Sequence, residues 1–176
     1  MADFVFRMSP NVILGSYTST RLGQLAHDWG SRFLVVVDPL MVELGTAEKI
    51  TQALNERKIE NFSFSDFSEG TSTKTLQRAL TLAKEGHIHG VIAVGGMKAM
   101  HIGRLVAALC NEVHDMYNFV DGAVPNTNSL PCICVPTTFR SPFVFTNQVP
   151  VIDSRNNQVK LLNVQTNICK LLLIDP

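Results

Sequence analysis

The stretch VIAVGGMKAMHIGRLVAAL, residues 91–109, decides the fold. Its opening run VIAV is apolar without polar alternation, which is what a strand covered on both faces of a parallel sheet requires. Two glycines follow, and the remainder reads as a helix. A strand, a Gly-Gly turn and a helix place the turn at the carboxyl end of the strand, where open α/β sheets hold their ligands. Gly95 and Gly96 permit a tight turn and close backbone approach. The free N–H groups at the helix start can then hold a pyrophosphate, whose charge the helix dipole favours. The same pattern also serves as plain turn geometry, and no full G-x-G-x-x-G is present.

Working outward, short apolar runs alternate with helix-length stretches, the signature of strand, helix, strand units. FLVVV (33–37), NFSF (61–64), CICV (132–135) and KLLLI (170–174) join VIAV (91–94) as expected strands. TSTRLGQLAHDWG, opening with threonine or serine caps and ending at Gly30, reads as an amphipathic helix. PLMVELGTAEKITQALNERK reads likewise, with Leu40, Leu44, Ile50 and Leu54 at roughly helical spacing. In SEGTSTKTLQRALTLAKEGH, Ser72 or Thr73 is the expected N-cap, Leu76, Leu80 and Ala83 the buried side, and Gly86 the stop. Residues 120–131 are turn-rich. PFVFTNQVPVIDSRNNQVKLLNV carries two extended runs around DSRNN, a hairpin expected to lie outside the parallel sheet. NVIL (11–14) and VFR (5–7) are expected to pair with that hairpin or with another subunit. The expected fold is therefore α/β, a Rossmann-like parallel sheet with helices on both faces and a β-hairpin appendage, in one domain over residues 1–176.

Composition narrows the function. Fifteen basic and fifteen acidic residues cancel, and no basic run with interleaved aromatics appears, which argues against nucleic acid and anionic lipid as partners. The apolar runs are too short to span a bilayer and the N-terminus does not read as a signal peptide, so the expected setting is soluble and cytoplasmic. Cys110, Cys132, Cys134 and Cys169 form no C-x-x-C pair and read as reduced core residues. Cys132 and Cys134 share a strand face, and His87 and His89 lie two apart, but neither pair has the further ligands a metal site needs.

The candidate residues follow strands. Asp38, after FLVVV, suits acceptance of both ribose hydroxyls of an adenosine, which favours NAD over NADP, and equally suits an N-cap before Pro39. Lys98, His101 and Arg104 are spaced by three on one helical face. Lys98 can pair with phosphate at the helix start, or the three can form a solvated basic stripe. Thr137 and Thr138 suit hydrogen bonds to phosphate or ribose, and equally the capping of a turn. Asp38, Gly95, Gly96 and Thr137 should converge on one sheet edge. No catalytic triad, elbow or metal motif accompanies them, so no catalytic residue is assigned.

The order FLVVVDPLMVELG, VIAVGGMKAMHIGR, LPCICVPTT, a hairpin carrying Lys160 and a terminal LLLIDP resembles the N-terminal nucleotide-binding domain of the iron-containing alcohol dehydrogenase family, related to glycerol dehydrogenase and dehydroquinate synthase. The family's turn reads GGGS, followed by an aspartate and a lysine in the helix. Gly95 and Gly96 match, while Met97, Lys98, His101 and Arg104 stand at the third glycine, the serine, the aspartate and the lysine. Its next segment, PTT with a G-T-G-S-E-x-T run, is matched by Thr137, Thr138 and Thr146, whereas Arg140 and Pro142 stand at glycines, Phe143 at the serine and Val144 at the glutamate. Lys160 matches the lysine before the last strand, and Asp38 the acidic residue for adenosine ribose. The resemblance thus implies NAD or NADP as cofactor, held by Asp38, Gly95, Gly96, Lys98, Thr137, Thr138, Thr146 and Lys160. Met97, near the pyrophosphate path, makes that binding weak or lost. Iron or zinc is held in the family by an aspartate and three histidines of a helical C-terminal domain, which is expected only in a longer parent. The chain is expected to be dimeric and not catalytic on its own. The alternative is a non-catalytic anion-binding or self-associating module, with Lys98, Arg104 and Arg140 as its cations.

Overall fold

The structure is a computed structural model and describes residues 10–138, 140 and 142–176. Its strands are β1 (Asn11–Leu14), β2 (Arg32–Val37), β3 (Glu60–Phe64), β4 (Gly90–Gly95), β5 (Cys132–Pro136), β6 (Gln148–Asp153), β7 (Gln158–Asn163) and β8 (Cys169–Ile174). Six of them form one parallel sheet in the order β1-β8-β5-β4-β2-β3, and β6 and β7 form a separate antiparallel hairpin. The central strands β2, β4 and β5 are buried almost throughout, as continuous apolar runs in a sheet covered on both faces should be. VFR (5–7) lies outside the described residues. NVIL does not pair with the hairpin. As β1 it lies parallel to β8, with Asn11 opposite Leu171 and Leu14 opposite Ile174, because the exposed edge of β8 offers it a ladder within the sheet.

Helices α1 (Leu22–Ala26), α2 (Pro39–Glu43) and α3 (Thr46–Asn55) belong to one side of the sheet, where Leu22, Met41, Ile50 and Leu54 pack with Val35, Val37, Ile92 and Val94. Helices α4 (Thr73–Glu85), α5 (Met97–Leu109) and α6 (Met116–Val120) cover the other side together with the hairpin. Ser72 caps α4 through its Oγ, which accepts from Thr75 N at 3.2 Å, and Leu76, Leu80 and Ala83 are buried as their spacing requires. The helix expected across residues 39–58 is two helices. Gly45, at φ 73°, breaks it, so Leu40 and Leu44 fall on the short first piece and remain exposed. TSTRLGQLAHDWG is likewise broken into a 3-10 turn (Thr18–Arg21), α1 and a second 3-10 turn (His27–Trp29), and no side chain caps its start. Its anchor is instead Asp175, which accepts from Tyr17 N at 2.7 Å and Ser19 N at 3.0 Å and also bonds the Ser19 hydroxyl.

The hairpin is tied down by charge. Fully buried Asp153 accepts from Arg155 Nε at 3.0 Å, while Arg155 Nη1 donates to Asp121 at 3.0 Å and the guanidinium lies 4.4 Å above the Tyr117 ring. Both carboxyls are held below the usual range, chiefly by their hydrogen bonds from Arg155. Arg155→Met strips the buried Asp153 carboxylate of its cation. It is expected to accelerate amide exchange in β6 and β7 and lower the melting temperature; unchanged protection of both strands would show that packing alone holds them.

Candidate functional site

Three strand ends meet where the chain order reverses between β2 and β4. Asp38 N donates to Val94 O at 2.9 Å and Thr137 N to Gly95 O at 2.9 Å, so the turns after β2, β4 and β5 are stitched side by side. Gly95 sits at φ 135°, in backbone that a side chain rarely adopts, and a Cβ there would lie 2.5 Å from Asp38 Cβ. This close approach brings Asp38 beside the start of α5. Among the described residues, a Cβ on Gly96 would meet nothing nearer than Asp38 Oδ2 and Thr138 Cγ2, both at 3.8 Å.

The result is a crevice of about 660 Å³ lined by Asp38, Gly96, Met97, Lys98, Thr138 and Arg140. Its size lies within the range of roughly 300–1,000 Å³ common for small-molecule clefts. Gly96, the N-cap of the 13-residue α5, contributes no side-chain cap, and the helix begins its own ladder at Met100 N, which donates to Gly96 O at 3.1 Å. The first-turn amides ahead of Met100 are therefore donors without intrahelical acceptors, in the place where helix N-termini hold anions. Asp38 caps α2, its Oδ1 accepting from Leu40 N at 3.1 Å, while Oδ2 faces Gly96. Thr138 Oγ1 accepts from Arg140 N at 3.3 Å, and both residues line the same space. Met97 is 45% exposed and stands on the crevice wall.

The remaining residues are distributed elsewhere. Thr137 lines a neighbouring apolar groove with Leu14, Phe145, Leu172 and Ile174, which Thr138 also borders. Thr146 bonds within its own turn, its hydroxyl donating to Phe143 O at 3.0 Å, and faces a third cavity. Lys160, on β7 opposite Val151, acts on Asp121 and Asp153.

A solvated basic stripe on α5 is not what forms. Only Lys98 is exposed; His101 is 7% and Arg104 1% exposed, because residues 142–146 fold back over the helix. The His101 ring meets the Phe143 ring edge-on at 5.6 Å, and Arg104 Nη1 donates to Phe143 O at 2.5 Å while Nη2 donates to Thr146 O. His101 and Arg104, which depart from the family pattern on the helix, thus meet Phe143, which departs from it on the loop, and Arg104 also meets Thr146, which matches it. Burial, helped by the Arg104 charge, pushes His101 down to about 4 and keeps it neutral. Spacing by three signalled one shared face; nothing in the sequence signalled that a loop would cover it. Among the described residues no group of three or more His, Cys, Asp and Glu converges, so the donor set does not fit a metal ion. Among them, too, no helix is long and apolar enough to cross a membrane.

The profile of the iron-containing alcohol dehydrogenase family matches residues 9–176. The chain is similar to long-chain-alcohol dehydrogenase 1 of Geobacillus thermodenitrificans, 29% identical over 60% of this chain and 27% of that one. It is also similar to NADH-dependent butanol dehydrogenase A of Clostridium acetobutylicum, 22% identical over 92% of this chain and 41% of the relative. Among solved structures, the NADH-dependent butanol dehydrogenase A of Thermotoga maritima superposes with a TM-score of 0.87 at 19% identity, covering 100% of this chain and 45% of that one. The sulfoacetaldehyde reductase of Bifidobacterium kashiwanohense, solved in complex with NAD+, superposes with a TM-score of 0.85 at 17% identity, covering 100% and 47%. The chain therefore spans less than half the length of these relatives.

Proposed function

Because the chain belongs to the iron-containing alcohol dehydrogenase family, we propose that its strand-end crevice is a nicotinamide dinucleotide site that binds weakly, its grip shifted from a bare glycine turn towards charge. The observation that carries this reading is the convergence of Asp38, Gly96, Lys98, Thr138 and Arg140 around one cleft at the start of α5. The free amides of α5 suit the pyrophosphate, with Lys98 and Arg140 supplying positive charge where the family pattern has serine and glycine. Asp38 suits the adenosine ribose hydroxyls and opposes a 2′-phosphate, so NAD is preferred to NADP. Met97 narrows the path and weakens the fit. Thr137 and Thr146 line neighbouring cavities and Lys160 lies on β7, which places all three outside this pocket.

When bound, a nicotinamide cofactor supplies a hydride acceptor or donor for interconversion of an alcohol and a carbonyl compound. This chain's residues hold and orient the dinucleotide; activation of the alcohol oxygen needs groups that the described residues do not assemble. The proposal is thus an oxidoreductase domain, cytoplasmic and dimeric, which does not turn over substrate unaided. Exposed Val159 and Leu161 on β7 favour self-association. The second reading, an anion-binding or self-associating module without catalysis, is favoured by the apolar, clamped loop at residues 142–146.

Isothermal titration of the 176-residue chain with NADH and NADPH tests the proposal. NADH is expected to bind saturably and more tightly than NADPH, with Lys98→Ala weakening it about tenfold, the loss of one charge-assisted contact. Met97→Gly is expected to strengthen it. Binding restored only by Met97→Gly would mean that the native turn is closed, and no binding by any variant would reject the crevice as a dinucleotide site.

A further inference from the structure

Behind residues 143–147 lies a cavity of about 470 Å³, walled by Arg104, segment 144–147 and segment 166–169. It shares no lining residue with the dinucleotide crevice. Arg104 is 1% exposed, and no carboxylate lies within ion-pair distance of it among the described residues. Two of its nitrogens bond the carbonyls of Phe143 and Thr146, and its Nε has no partner among the described residues. Carbonyl dipoles orient a guanidinium but do not neutralise it, and a buried unpaired cation is costly.

Cys134, Cys169 and His101 beside it bring no negative charge. Cys134 and Cys169 are pushed upward, by hydrogen bonding to neighbouring thiols and by burial, and stay protonated. His101 is neutral. Burial pulls the guanidinium itself below its usual range, as expected for a charge without a counterion.

The lining specifies which counterion would suit it. Arg104 is the one charged side chain on the wall among the described residues, so a single negative charge balances it, whereas a phosphate dianion leaves an excess. Thr146, Asn147, Thr166 and Asn167 offer hydroxyls and amides for oxygen atoms, while Val144 and Ile168 give apolar surface for a short hydrocarbon. We propose that this cavity binds a small organic monocarboxylate, its carboxylate paired with Arg104 and its tail against Val144 and Ile168. Such a ligand rests on the same loop that covers α5, and holds that loop in place.

Titration of the 176-residue chain with n-butyrate, butyramide and orthophosphate tests the assignment, with Arg104→Gln and Thr166→Trp as variants and circular dichroism to confirm their folding. Butyrate is expected to bind saturably and at least about tenfold more tightly than butyramide or phosphate. Arg104→Gln is expected to abolish this binding. Thr166→Trp, at an exposed position on the rim, is expected to weaken it by a similar factor while leaving NADH titration unchanged. If Arg104→Gln does not fold, Thr166→Trp decides. The proposal is overturned by absence of saturable butyrate binding, by equal binding of butyramide, by preference for phosphate, or by butyrate binding that Thr166→Trp leaves intact.

Discussion

Gly95→Ala is expected to lower the free energy of unfolding by about 3 kcal/mol, through backbone strain and steric overlap together. At φ 135° an alanine is strained whatever the space around it, and its Cβ would lie 2.5 Å from Asp38 Cβ and 3.3 Å from Ala99 Cβ. Relief requires the turns after β2 and β4 to separate, which opposes the 2.9 Å bonds from Asp38 N to Val94 O and from Thr137 N to Gly95 O. NADH binding should disappear with the geometry of the crevice. Gly96→Ala is the control. Its Cβ meets nothing closer than 3.8 Å among the described residues, so it is expected to cost less than about 1 kcal/mol of stability while reducing room for a ligand. Urea unfolding of both variants checks the contrast, and equal losses would mean that the turn yields freely at Gly95.

The second large effect is a dependence on pH. His101 is held at about 4 in the folded chain against 6.5 for an ordinary histidine, because burial and Arg104 oppose its protonation. Between these values the unfolded chain takes up a proton that the folded chain refuses. Stability from this group is therefore complete above about pH 6.5, falls as pH decreases, and is fully lost near pH 4. At 1.36 kcal/mol per unit the loss amounts to about 3 kcal/mol at most. His101→Leu, which keeps an apolar contact with Phe143, is expected to flatten the urea midpoint over this window. A slope unchanged by the substitution would assign the dependence to carboxylates instead.

Much of the architecture was legible along the chain. Five of the six parallel strands and the hairpin fell where continuous apolar runs and turn residues placed them, because burial on both faces leaves little freedom of composition. Part of the crevice was legible too: a strand end carrying Asp38, a glycine pair and paired threonines belongs at the same edge once the strands are parallel. Periodicity misled at Leu40 and Leu44, whose spacing continues through Gly45 although the backbone does not. It said nothing of α6, a five-residue helix too short to show a period.

The sequence by itself determined five strands of the parallel sheet, the hairpin, and the positions of Asp38, Gly95, Gly96 and Lys98 at the strand ends and helix start, since these follow from local patterns of burial and turn chemistry. Only the tertiary structure decided that NVIL completes the sheet beside β8, that Asp175 anchors the turn after β1, and that His101 and Arg104 lie beneath residues 142–146. These outcomes rest on contacts between segments far apart in the chain. A helical face carrying histidine and arginine is equally consistent with water or with a covering loop. Which of the two it meets depends on whether backbone carbonyls arrive to accept from the buried guanidinium, and here those of Phe143 and Thr146 do.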